Sequence, residues 1–379
     1  MKKVAAVSIA MGLACVGFAA QAADPIKLAD VCELSGGGAP VGNNWKNAID
    51  MAVAEINAAG GVLGRPLEVT HLDTQTNPGV SRGVMQKALD DDPYIVLGPI
   101  YSSATMVDLA LTQQAKVPEF TGGAAAGITK QDDPYIFRMA LGQTATIPKV
   151  VNYLKDKMNV KTAALVWVND DYGKDGRDAF TEEAKAKGIQ LVSTISTEAA
   201  QVDFSADVIK LKDAKPDVVF VYTHEEESAR FLKEARKENL QAAIFGDTTL
   251  LDPKVIALAG DAANGIRGHL SLSAGAPVDA IQDFVKKFQA KYNYVPDHNA
   301  IQGYMTIYTI KYLTTKIGKL DREAFAKAMH GLTITPKDEP GILMETSWDN
   351  TGDIDRASFI AEIDDGKQKI VETLPKLHH

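Results

Sequence analysis

Apolar residues along this chain follow two alternating patterns. Short runs such as 94–97 (Tyr-Ile-Val-Leu), 163–168 (Ala-Ala-Leu-Val-Trp-Val) and 218–222 (Val-Val-Phe-Val-Tyr) are apolar at almost every position. Longer stretches between them carry apolar side chains every three or four residues, as with Ala48, Met51, Ala52 and Ile56. The first pattern is that of a strand covered on both faces, the second that of an amphipathic helix. Strands are predicted at 26–31, 67–72, 94–97, 117–120, 135–139, 163–168, 189–195, 218–222 and 243–245. Helices are predicted after Asn43 or Asn44, either of which could cap, and at 78–89, 147–158, 176–187, 204–212 and 225–238. Repeated β-α-β of this kind builds parallel sheets with helices on both faces, and the pattern occurs twice. The expected fold is therefore α/β, with two doubly wound parallel-sheet lobes. The last third adds helices at 278–291, 300–317 and 322–329, a turn at 347–353, and a hairpin around Asp364-Asp365-Gly366.

The N-terminus bears on the compartment. Lys2 and Lys3 precede an apolar run over 4–20, and Ala20-Gln21-Ala22 fits a small-x-small cleavage site, so residues 1–22 read as a cleaved secretory signal peptide. Lipidation at Cys15 is the rival processing route, but Gly12-Leu13-Ala14 lacks the large aliphatic residue expected three places upstream. Without its leader the chain loses two lysines from a net charge of −9. That acidic balance, without a basic patch, argues against nucleic acid and anionic membranes as partners. Cys32 is then the sole cysteine, with no internal disulfide partner, and a buried inert thiol is expected. His378-His379 read as the remnant of a tag.

Catalytic and cofactor signatures are missing. The loop 36–42 after the first strand invites a dinucleotide reading, with Asp73 as the ribose acid, but the third glycine is absent and Pro40 intrudes. No phosphate-binding loop and no nucleophile elbow occurs. The seven histidines make no metal-ligand spacing, and His224-Glu225-Glu226-Glu227 lacks the second histidine of a zinc protease. No catalytic residue, metal or cofactor is expected, and an enzyme using the cleft is the remote alternative.

The informative chemistry lies just past the strand ends, where open α/β sheets bind ligands. The stretch 94–128 holds two strands that lead toward helix starts. Unpaired N–H groups and the dipole at such starts favour a small anion such as a carboxylate. Ser102 could cap its helix and also face a ligand, beside Ser103 and the loop 121–126 with Gly123, Ala124 and Ala125. In the second lobe Asp170, Asp171 and Tyr172 follow one strand, Tyr222 and His224 the next, and Asp247 and Thr248 the third. Such loops are polar in any α/β protein, so each residue alone also has a plain structural reading. Together one wall suits an anion and the other a cation, which a zwitterion would satisfy.

Residues 56–67, Ile-Asn-Ala-Ala-Gly-Gly-Val-Leu-Gly-Arg-Pro-Leu, resemble the early signature of type I periplasmic solute-binding proteins, in the leucine/isoleucine/valine-binding branch. Residues 98–105, Asp171-Tyr172-Gly173, and Trp348-Asp349 through Gly352 follow that family's pattern in the same order. The resemblance implies an exported receptor, monomeric, that delivers a small solute to the membrane permease of an ABC importer. It also implies a three-crossover hinge, with lobe 1 at 23–142 plus 273–351 and lobe 2 at 143–272 plus 352–379. By the same resemblance Ser102 and the amides of 123–125 hold the ligand carboxylate, and Tyr172 lies over the ligand. Asp247, or Thr248 in another alignment, takes the ammonium, and Tyr222 or His224 lines that wall. The implied ligand is a branched-chain or related aliphatic amino acid, and the alternative is an amine-free aromatic acid. Two departures leave room for a bulkier or flatter solute: the loop reads Thr121-Gly122-Gly123 with Ala125, one hydroxyl short, and Val41 stands where some relatives have an aromatic.

Overall fold

In the computed structural model, residues 24–377 are described; the expected leader and the terminal histidines lie outside them. Five short strands, β1 (Ile26–Cys32), β2 (Leu67–Asp73), β3 (Ile95–Leu97), β4 (Glu119–Thr121) and β5 (Ile136–Arg138), form one all-parallel sheet in the order β2-β1-β3-β4-β5. They alternate with α1 (Ala39–Ala58), α2 (Pro78–Asp90) and α3 (Ser102–Ala115). Side-chain alternation divides the two faces. Leu28, Cys32, Ile95 and Leu97 pack with Trp45 of α1, whereas Ala29, Val31 and Val96 pack with Met85 and Ala88 of α2.

The second sheet is fed by α4 (Gln143–Asp156), β6 (Thr162–Val168), α5 (Asp171–Ala186), β7 (Gln190–Thr197), α6 (Ser205–Ala214), β8 (Val218–Tyr222), α7 (Glu225–Lys237), β9 (Ala243–Gly246), α8 (Pro253–Ala259) and β10 (Arg267–Leu270). The chain then returns to the first lobe through α9 (Asp279–Tyr292), α10 (His298–Ile317), which packs on α1, and α11 (Arg322–Met329). A three-stranded ribbon of β11 (Thr333–Ile334), β12 (Thr346–Trp348) and β13 (Ile354–Asp355) precedes the hairpin β14 (Ser358–Asp364) and β15 (Lys367–Leu374). That hairpin extends the second sheet to the order β15-β14-β10-β9-β8-β6-β7. β14 runs antiparallel to β10, so the second sheet is mixed rather than purely parallel.

Several boundaries differ from the sequence expectation for identifiable reasons. α1 begins at Ala39, not at Asn43 or Asn44, because Pro40 fits a first helical turn, where no N–H is needed. α5 begins at Asp171, ahead of the expected 176, because the Asp170 side chain accepts from the Gly173 N–H at 2.9 Å and caps the helix. α8 and β10 were not predicted: β10, Arg-Gly-His-Leu, is short and half polar, and gains its place by pairing on both sides. Cys32 is buried, and burial pushes its thiol well above the ordinary range. Among the described residues no helix is long and apolar enough to cross a membrane.

Candidate functional site

The C-terminal ends of the two sheets face each other over a cavity of about 70 Å³. Val41, Ser102 and Ala124 line it from the first lobe, and Tyr172, Tyr222, His224, Asp247 and Thr248 from the second. Ser103, Gly123 and Ala125 are close by but are not part of the lining.

The donor wall is already knit together. Ser102 is the first residue of α3, and Tyr101 occupies the cap position, so the expected N-cap role of Ser102 is corrected. Its Oγ instead accepts the N–H groups of Ala124 and Ala125, both at 3.1 Å. The Gly123 N–H donates to Thr121 Oγ1 at 2.9 Å. The three amides expected to hold an anion are thus turned toward protein hydroxyls. The Ser102 O–H, strengthened as a donor by the two N–H groups on its oxygen, remains for a carboxylate. Behind the loop, buried Arg138 donates to the carbonyls of Gly123 and Ala125, and its Nε lies 3.0 Å from Asp353 Oδ1. Ser103 Oγ accepts from the Asp171 N–H at 3.4 Å and ties the lobes together instead of lining the cavity.

The opposite wall is a stack of rings ending in a carboxylate. Tyr172 lies on Tyr222 with centroids 4.2 Å apart, and His224 is stacked 4.7 Å from Tyr101 of the other lobe. Gly176 makes the stack possible, since a Cβ there would sit 2.2 Å from the Tyr222 ring. Tyr172 OH donates to Asp247 Oδ2 at 2.7 Å, and the Thr249 N–H to Oδ1 at 3.1 Å. Burial lifts Asp247 to about 6 in spite of those two hydrogen bonds. No lysine or arginine pairs with it among the described residues. Thr248 Oγ1 is engaged within its own lobe, accepting from the Ser271 N–H at 3.0 Å, so of these two neighbours Asp247 is the one that offers the cavity a charged group. Burial opposes protonation of His224, but Asp170 at 2.6 Å prevails and holds it near 9.

Three further residues join the walls. Gln143, first in α4, donates through Nε2 to Tyr172 O at 2.7 Å and to Tyr222 OH at 2.9 Å, and its Oε1 accepts from the Ala126 N–H at 3.0 Å. Tyr101 OH donates to Glu225 Oε2 across the cleft at 2.9 Å. His298 Nδ1 lies 3.5 Å from Asp252 Oδ2. With Asp297 this pair makes a group of ligand-type atoms within 4.8 Å, which the histidine spacing in the sequence did not reveal. Asp297 also caps α10, accepting from the Ala300 N–H, so the trio already has structural work.

Sequence reasoning missed the first turns of α10, where His298, Asn299 and Gln302 line the cavity. A helix opening His-Asn-Ala-Ile-Gln carries no ligand signature, and its approach to the strand ends is a tertiary fact. Gln302 is fully buried, yet neither its Oε1 nor its Nε2 has a hydrogen-bond partner among the described residues. Leaving such an amide unpaired costs ~1–3 kcal/mol per group.

Comparison with known proteins agrees with this architecture. The leucine-, isoleucine-, valine-, threonine- and alanine-binding protein of Pseudomonas aeruginosa is 26% identical over 351 residues, covering 92% of both chains. A branched-chain amino acid transporter substrate-binding protein of Streptococcus pneumoniae, solved with isoleucine, superposes with a TM-score of 0.83 at 24% identity, covering 93% of this chain and 99% of that one. A solute-binding protein of an ABC transporter from Rhodopseudomonas palustris, solved with 3,4-dihydroxybenzoic acid, also gives 0.83 at 24% identity, covering 93% and 97%. The model of the periplasmic binding protein family matches residues 25–368, and with two sheet-based lobes closing on a shared cavity, this chain belongs to that family.

Proposed function

We propose that the chain is an exported receptor that closes two lobes on a small carboxylate-bearing solute, foremost an α-amino acid, and hands it to the membrane permease of an ABC importer. In this reading it is a monomer that binds and releases without catalysis, and the lobes divide near 142, 272 and 352. One observation carries the amino-acid reading: the buried Asp247 carboxylate lines the cavity with no lysine or arginine paired to it among the described residues, and only His298, itself engaged with Asp252, acts on it as a cation. An ammonium group placed there would restore the balance, while Ser102 received the carboxylate. The relatives named above as amino-acid-binding proteins support the same reading. The lobes already touch across the cleft through Tyr101–Glu225 and Asp171–Ser103, so a solute enters by separating them.

The test is a thermal-shift screen over amino acids and aromatic acids, followed by calorimetry. Binding of at least one α-amino acid is expected, and no shift with any of them would refute the reading. The ring stack of Tyr172, Tyr222 and His224 favours a second reading, an amine-free aromatic acid, as in the relative solved with 3,4-dihydroxybenzoic acid. Asp247→Asn separates the two: an amine ligand is lost, while an amine-free acid binds as well or better.

A further inference from the structure

Gln302 is the one cavity-lining side chain whose polar atoms are both buried and both without a partner among the described residues. Its neighbours are occupied: His298 faces Asp252, and Asn299 Nδ2 donates to Asp297 Oδ2 at 3.3 Å. Nor is Gln302 free to turn away. The next residue, Gly303, lies so close to α1 that a Cβ would sit 2.7 Å from Trp45 O, which fixes how α10 is rotated against α1. Val41, also on α1, is an apolar residue that lines the same cavity and offers the amide no hydrogen bond.

The position of Gln302 relative to Ser102 follows from the sheet. Ser102 begins α3, which packs with α2, on the face that buries Ala29, Val31 and Val96. Gln302 belongs to α10, which packs with α1 on the opposite face. A solute whose carboxylate meets Ser102 therefore extends across the strand ends toward Gln302. A carboxamide offers one acceptor and one pair of donors, so it is satisfied by a hydroxyl or another carboxamide and not by a hydrocarbon.

We propose that Gln302 is a specificity-determining residue that reads a hydroxyl or carboxamide at the end of the solute remote from its carboxylate. This rests on the carboxylate-binding function proposed above and sharpens it: a purely aliphatic side chain leaves Gln302 unpaired, so the preferred solute is polar at both ends.

The test uses ligand pairs of matched shape that differ at the far end: threonine against valine, asparagine against leucine, and 4-hydroxybenzoate against 4-methylbenzoate. Each is titrated calorimetrically into the full-length chain without its leader, and into Gln302→Met and Gln302→Leu. In whichever series binds, the polar member is expected to bind about tenfold tighter or more, since a site built to hydrogen-bond its ligand discriminates strongly against the analogue lacking that group. In both variants the preference should vanish or reverse. The unliganded variants should melt at or above the temperature of the parent, because two unpaired polar groups have been removed, so a folding defect would not be mistaken for lost recognition. If the methyl members bind as well as the polar ones, or the variants keep the parent preference, the role of Gln302 is overturned while the receptor function stands. If no member of any series binds, both fall together.

Discussion

The two walls of the cleft solve opposite problems. On the first, Ser102, Thr121 and the amides of 123–125 satisfy one another, and Arg138 pins the loop from behind. On the second, the Asp247 carboxylate is buried with a phenol and one amide as its hydrogen-bond donors, and burial disfavours its charged form. The donor wall is thus preorganised and needs little from a ligand, whereas the acidic wall is held at a cost that a cation would relieve. The second wall should therefore select for an ammonium group and the Ser102 loop supply grip, while Gln302 of the first lobe reads the far end of the solute.

The largest expected effect breaks the acidic wall. Asp247→Asn should weaken an amino-acid ligand by roughly thirtyfold to a few thousandfold by calorimetry, the ~2–5 kcal/mol of a buried charge pair losing one partner. The same contrast can be sharpened by pH. Because burial raises the folded-state pKa of Asp247 to about 6, its neutral form is the one the unliganded fold favours. Its contribution to stability is full below its unfolded value near 4 and is lost as pH rises through 6. Ammonium binding needs the ionised form, so affinity for an amino acid should drop as pH falls through 6. An amine-free acid should show no such drop, and unliganded Asp247→Asn should gain most in melting temperature above pH 6.

Breaking the donor wall should cost less in binding. Ser102→Ala removes one hydrogen bond to a charged group, ~1.5–3 kcal/mol, or roughly ten- to hundredfold in Kd. It also strands the Ala124 and Ala125 N–H groups, so a lower melting temperature should accompany it. Unchanged affinity would move the carboxylate elsewhere. Gly176→Ala forces the Tyr222 ring aside and should weaken binding by about tenfold through the displaced ring stack, with no charge removed. The smallest effect is expected from Tyr101→Phe, which removes a single contact across the cleft to Glu225 and should change affinity a few-fold at most, through the open–closed balance.

Sequence reading captured what is periodic and local. The strands of both sheets, except β10, were visible as apolar runs or alternating stretches, and the terminal hairpin was visible from its Asp-Gly turn. Tyr172, Tyr222, His224 and Asp247 were legible as candidates because they lie at or just past strand ends, and all four line the cavity. Gln302, Asn299 and His298 could not be found that way. They enter from a helix whose contact with α1 spans some two hundred and fifty positions of chain, as the Tyr304–Glu55 hydrogen bond at a separation of 249 makes plain. The pairing of the loop amides was hidden for a related reason: donors at a strand end are evident in a sequence, but the hydroxyl that claims them is not.

Gln143 has a mechanical consequence. It stands where the chain first crosses between lobes and holds both cleft tyrosines through one amide nitrogen. In a jaw that swings about its crossovers, displacement grows with distance from the axle, so this clasp travels little while the outlying Tyr101–Glu225 link travels far. The tyrosine shelf should then be standing ready in the gaping molecule, and a solute would land on a finished surface instead of having to assemble one.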